Sequence, residues 1–207
     1  EIGVRLVGSE MCIRDRPESP LPRHALALSR PRRPAAATDS GREPAPTTIS
    51  NPAVAEGLAI QIKPHRNGEI FLSVSAALQN PPFFRWPFTG HTTPKKPGNP
   101  TYPQLDPDPV VNITVYGMPV DPVLTLSQYF LNTVYYEKNS EIRITAAPLV
   151  DVVPEYSVMI MRYSLATDVD YEITIHRPDS PDYAAWVSAC DQTMPGGGKA
   201  PRKFGWF

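Results

Sequence analysis

The chain has 207 residues, with 20 Lys+Arg against 21 Asp+Glu and a formal net charge of −1 at pH 7. No run of about eighteen apolar residues is present, which excludes a transmembrane helix of the usual length. Of the two cysteines, only Cys190 lies outside an adapter-like leader, so no internal disulfide is expected and nothing points to an oxidising compartment.

In chain order, Leu6 to Arg16 reads LVGSEMCIRDR, which resembles a translated sequencing-library adapter. Residues 1–16 are therefore set aside as an adapter-like artefact, and Cys12 with them. Because Glu1 is not an initiator Met, we expect a transcript-derived fragment whose true start lies upstream. An upstream region could carry a signal or a catalytic domain; a cytoplasmic protein is the default expectation. Residues 17–50 are rich in Pro, Ala, Ser and Arg and lack apolar periodicity, so they are expected to form a disordered arm. Five arginines against three acids make that arm mildly basic, whereas residues 51–207 carry 12 Lys+Arg and 15 Asp+Glu. A solvated linker accounts for the arm better than a nucleic-acid tail does.

From Asn51 the pattern changes to short strands. We expect them at Leu58 to Lys63, Glu69 to Leu78, Val110 to Tyr116, Val123 to Gln128, Leu131 to Tyr136, Glu141 to Ala146, Tyr156 to Arg162 and Asp170 to His176. Ile142 and Ile144 alternate with Arg143 and Thr145, and Tyr171, Ile173 and Ile175 with Glu172, Thr174 and His176. A period of two separates a buried face from a wet one, as in an antiparallel sheet. The Asn67-Gly68 pair between two apolar runs marks a hairpin. DYAAWVSAC (Asp182 to Cys190) is the one convincing helix, with Asp182 placed to cap it. The fold expected over 51–180 is therefore all-β, an antiparallel β-sandwich of about eight strands, with 181–207 as a short helix and flexible tail. Ile142, Ile144, Val158, Ile160, Ile173 and Ile175 should contribute to its core.

Between Asn80 and Pro109 lies a long Pro-rich loop, and loops of this length in a compact domain are usually functional or disordered. Its FFRWPF cluster makes Phe84, Arg85 and Trp86 candidate contacts to a partner or lipid surface, together with Lys95 and Lys96 further along. The competing reading is that Phe83, Trp86 and Phe88 pin the loop to the sandwich edge. Asp106, Asp108, Asp151, Asp168 and Asp170 have the oxygen chemistry for calcium, but no D-x-D-x-D-G loop supports a site. His24, His65, His91 and His176 share no metal-ligand spacing, and His176 is expected on an exposed polar face. No metal or cofactor is assigned. Gly196 to Gly198 and Lys199 lack the rest of a phosphate loop, and no serine sits in a G-x-S-x-G elbow. Cys190 has no evident base, so no catalytic residue is assigned and this fragment is not expected to be an enzyme.

Asn139-Ser140, Glu141 to Thr145, Tyr156 to Met161, the acidic Asp168 to Asp170 and Tyr171 to Ile175 follow one another as in the C2-like sandwich of calpain large subunits, domain III. Val123 to Gln128 resembles that family's early strand ending in Leu-Ser-Gln. The chain departs from the family at Pro154-Glu155, where a Pro-Gly turn is usual, and at Met161-Arg162-Tyr163, where Pro-Ser-Thr is usual. The resemblance implies a non-catalytic module of a calpain-like protein, acting in regulation through protein or phospholipid contact. Two other classes stay open. A basic arm before one sandwich also resembles a small viral coat protein with a jelly roll, which would place the chain in a virion against nucleic acid. A secreted carbohydrate-binding sandwich would use the aromatics around Trp86.

Overall fold

A computed structural model describes residues 46–195 and 201–207, all within the compact unit 41–207. The adapter-like leader, most of the Pro/Ala/Arg arm and Gly196 to Lys199 lie outside the described residues. Within them the chain is all-β, with ten strands in two sheets. The strands are β1 (Gly57–Ile62), β2 (Glu69–Ser73), β3 (Val110–Tyr116), β4 (Leu124–Phe130), β5 (Asn132–Tyr136), β6 (Glu141–Thr145), β7 (Ser157–Tyr163), β8 (Tyr171–His176), β9 (Gln192–Thr193) and β10 (Lys203–Trp206). Seven form the larger sheet in the order β4-β3-β8-β7-β1-β10-β9, and the smaller is β2-β6-β5.

The main core lies between these sheets. The larger one contributes Leu58, Ile60, Val111, Ile113, Ile173 and Ile175; the smaller one contributes Ile70, Leu72, Ile142 and Ile144. Where strands alternate, only one face is buried, as β3 and β6 show. In contrast, β1 is buried at all six positions and β7 at its first five. The cause is α3 (Tyr183–Ser188), which covers their second face. Val158 and Ile160 therefore pack with Ala59, Trp186, Ala189, Cys190 and Phe207 in a separate cluster, not with Ile142 and Ile173. A strand covered on both sides reads as a continuous apolar run, as GLAIQI and SVMIM do.

The hairpin expected at Asn67-Gly68 does not form, because the turn there passes from β1 in the larger sheet to β2 in the smaller one. Four further local features differ from the sequence-based expectation. The strand expected over Glu69 to Leu78 ends at Ser73, whose Oγ accepts from the Ser75 amide at 3.1 Å and caps α1 (Val74–Gln79). Ala76, Ala77 and Leu78 favour helix, and a cap at Ser73 lets that preference act. Second, β3 and β8 run parallel, with Val111 opposite Tyr171 and Val115 opposite Ile175. They are far apart in sequence, so no tight turn forces them antiparallel. Third, the expected flexible tail contains a strand: β10 pairs with β1, placing Leu58 opposite Trp206. Four residues beside a Gly-rich stretch are too few to show a period. Gly205 is required there, because a Cβ would lie 1.9 Å from the Ala189 carbonyl oxygen. Fourth, His176 is buried, not exposed: α3 covers its face, its ring stacks on Tyr116 at 5.1 Å, and Nδ1 lies 3.2 Å from Ser180 Oγ.

The folded unit also begins before Asn51. The Ile49 amide donates to the Trp206 carbonyl at 3.2 Å, and its side chain packs on the main core. Asp182 occupies the N-cap position of α3 without a side-chain cap hydrogen bond.

Candidate contact surface on the 80–109 loop

The loop has a fixed base and an exposed tip. At the base, Asn80 Oδ1 accepts from the Phe83 amide and starts α2 (Pro81–Phe84), whose prolines occupy the first turn, where a missing N–H costs little. That turn drives Phe83 and Phe84 into the core, where both are buried. Phe83 meets Tyr163, Tyr171 and Trp206 with ring centroids 5.1–5.5 Å apart, and the Tyr171 hydroxyl donates to the Phe83 carbonyl. Burial raises the Tyr171 phenol well above its usual pKa, so it remains a donor across the physiological range. Trp86 packs edge-on against Tyr135 at 4.6 Å and Phe88 at 5.3 Å.

The expected contact residues therefore separate. Phe84 is inside the core and unavailable as a surface contact; Trp86 is half-buried against Tyr135. Arg85 adopts a left-handed conformation with φ 52° and pairs with Asp170, whose other oxygen accepts from the Val110 amide at 2.8 Å. It ties the loop to β3 and β8. Lys95 and Lys96 stand apart from this base; both are exposed and make no ion pair among the described residues.

Between base and tip the loop is not irregular throughout. The Thr93 amide donates to the Tyr102 carbonyl at 2.8 Å and Gln104 to His91 at 3.1 Å, closing a short finger. Its return limb lies along the free edge of β5: Leu105 donates to the Thr133 carbonyl at 2.9 Å and Tyr135 to the Pro103 carbonyl at 2.8 Å. Proline has no N–H to donate to a ladder. Pro103 pairs nonetheless, because its carbonyl accepts while non-proline neighbours donate. An otherwise open sheet edge is thereby covered.

The chain matches no family model and no curated protein. What this surface can do is therefore argued from its own chemistry. Among the described residues, no three or more His, Cys, Asp or Glu side chains are placed to hold a metal. Three of the acidic candidates have other partners: Asp170 pairs with Arg85, Asp168 accepts from Gln128 Nε2 at 2.6 Å, and Asp106 faces His91 at 3.5 Å. Cys190 is buried, its Sγ 3.7 Å from the Trp186 carbonyl. Burial, with Asp191 nearby, pushes its thiol up to about 12, so it stays protonated and unreactive at neutral pH. Sequence reasoning missed Tyr102 and Tyr136, whose rings meet at 4.4 Å beside the finger. Strand geometry puts Asn132, Val134 and Tyr136 on one side of β5, but NTVYY has no polar–apolar alternation to mark that side and nothing local ties Tyr102 to it.

Proposed function

We propose that this chain is a non-catalytic β-sandwich module of a calpain-like protein, and that it contacts anionic phospholipid through the tip of the 80–109 loop. One observation carries the reading: a loop anchored by buried Phe83 and Phe84 holds Lys95 and Lys96 exposed and unpaired among the described residues. An anchored base lowers the ordering entropy lost on contact, and free ammonium groups need no ion pair broken first. The body is mildly acidic, so local lysines must supply the attraction.

Each cation near an anionic leaflet contributes about 1 kcal/mol, so losing two should weaken binding by roughly thirtyfold or more. The test is co-sedimentation of the full chain with phosphatidylcholine vesicles containing phosphatidylserine, with and without calcium. The parent should bind and release as salt rises, and the Lys95→Glu/Lys96→Glu variant should lose most binding. Equal binding by both proteins at every salt concentration overturns the role of the loop tip.

A further inference from the structure

Behind the lysine-bearing tip a groove of about 610 Å³ opens between the finger and the outer face of the small sheet. Its floor is β5, whose alternation places Asn132, Val134 and Tyr136 on one side. The finger forms its wall with Tyr102 and Gln104, while Asn99 and Lys96 reach the rim from the tip. A volume of this size lies within the range usual for small-molecule sites, about 300–1,000 Å³.

Three features define what would fit. The Tyr102 and Tyr136 rings sit 4.4 Å apart at 39°, and the Arg143 guanidinium lies 4.0 Å from the Tyr136 ring centroid. Arg143 is itself held by Glu69 at 3.5 Å and Glu141 at 3.2 Å, so the aromatic part of the floor is fixed before any ligand arrives. Next, the side-chain amides of Asn99, Gln104 and Asn132 have no hydrogen-bond partner among the described residues, and neither do the two tyrosine hydroxyls. Finally, among the described residues the one charged group in the groove lining is the ammonium of Lys96.

An amide offers a donor and an acceptor side by side, which suits the neighbouring hydroxyls of a sugar ring, and an aromatic face covers the ring's C–H surface. The rival occupant, an extended peptide, would need backbone groups at a sheet edge. Those of β5 at Thr133 and Tyr135 are already bonded to Leu105 and Pro103. A lipid tail would leave the amides unsatisfied. We propose that this groove binds an acidic saccharide, with its ring against Tyr102, which Tyr136 and Arg143 hold in place from behind, its hydroxyls on the amides and its carboxylate on Lys96.

The proposal does not depend on vesicle binding, and calorimetry of the full chain tests it separately. Tri-galacturonate, tri-mannuronate and a hyaluronan hexasaccharide serve as probes, with neutral galactotriose and poly-glutamate as controls. At least one acidic saccharide should bind, and Tyr102→Ala and Asn132→Ala should each weaken it by roughly tenfold. Lys96→Ala should remove the preference for acidic over neutral sugar. Asn132→Ala retains both rings, so it remains informative if Tyr102→Ala folds poorly. Both groove variants should leave vesicle binding intact. No heat with any acidic probe at millimolar concentration overturns the proposal. So does equal binding of poly-glutamate, or binding unchanged in both variants.

Discussion

Phe83→Ala is expected to destabilise the domain by about 3–5 kcal/mol, the range for deleting a buried Phe from a packed core. Phe83 has no exposed surface and is the hub of an aromatic cluster, with centroids 5.4 Å from Phe84, 5.1 Å from Tyr163, 5.5 Å from Tyr171 and 5.1 Å from Trp206. Removing the ring leaves a cavity among side chains drawn from four separate chain segments, and the surrounding β8 and β10 backbones can collapse into it only partly. A small domain has about 5–15 kcal/mol in total, so the variant should unfold at much lower urea. The loop should also lose its anchor: Phe83→Ala should accelerate protease cleavage near Arg85 more than elsewhere. A midpoint shift worth less than about 1 kcal/mol would mean that the loop base is not part of the core.

A loss of similar size is expected from Trp206→Ala, again about 3–5 kcal/mol. Trp206 is fully buried on β10, faces Phe83 and donates from Nε1 to Gln79 Oε1 at 2.9 Å. Its carbonyl accepts from Ile49, so the same residue fastens the beginning of the folded unit to its end. Truncation before Lys203 should be more damaging still, because it uncovers the edge of β1 and removes Phe207 from the cluster beneath α3. Urea titrations followed by circular dichroism would measure both. Since Phe83 and Trp206 are in contact, the double variant should cost less than the sum of the single ones. Leu165→Ala, at a fully exposed position, should stay within about 0.5 kcal/mol and serves as the control. Native-like stability of the chain ending at Arg202 would show that β10 is incidental to the fold.

The sandwich was legible wherever one face of a strand meets water. Val111, Ile113 and Val115, or Ile142 and Ile144, alternate with polar residues and appear as buried positions on the expected strands. Legibility failed where local pattern and tertiary setting part company. His176 sits at a polar position of an alternating strand, yet Tyr116, Trp186 of α3 and Ser180 surround its ring and bury it. β10 is four residues long, and its place beside β1 is set by pairing over more than 140 positions of chain, which no local window detects. The loop was partly readable. Phe83 and Phe88 were recognisable as anchors, but Phe84 also turned inward because α2 gives adjacent residues different directions from those of a strand. Arg85 gave no sign of its pairing with Asp170, a contact that depends on how the loop meets β8.

The central claim is that a long Pro-rich loop is hydrogen-bonded along the β5 edge and presents a lysine-bearing tip. Amide hydrogen exchange resolved by residue tests it most directly. Leu105 and Tyr135, bonded across the β5 edge, should exchange far more slowly than Lys95, Lys96 and Gly98 at the exposed tip. Protection at Leu105 and Tyr135 close to that of the core strands, with unprotected tip amides, is the predicted result. Uniformly fast exchange from His91 to Leu105, with Tyr135 equally unprotected, would contradict the account.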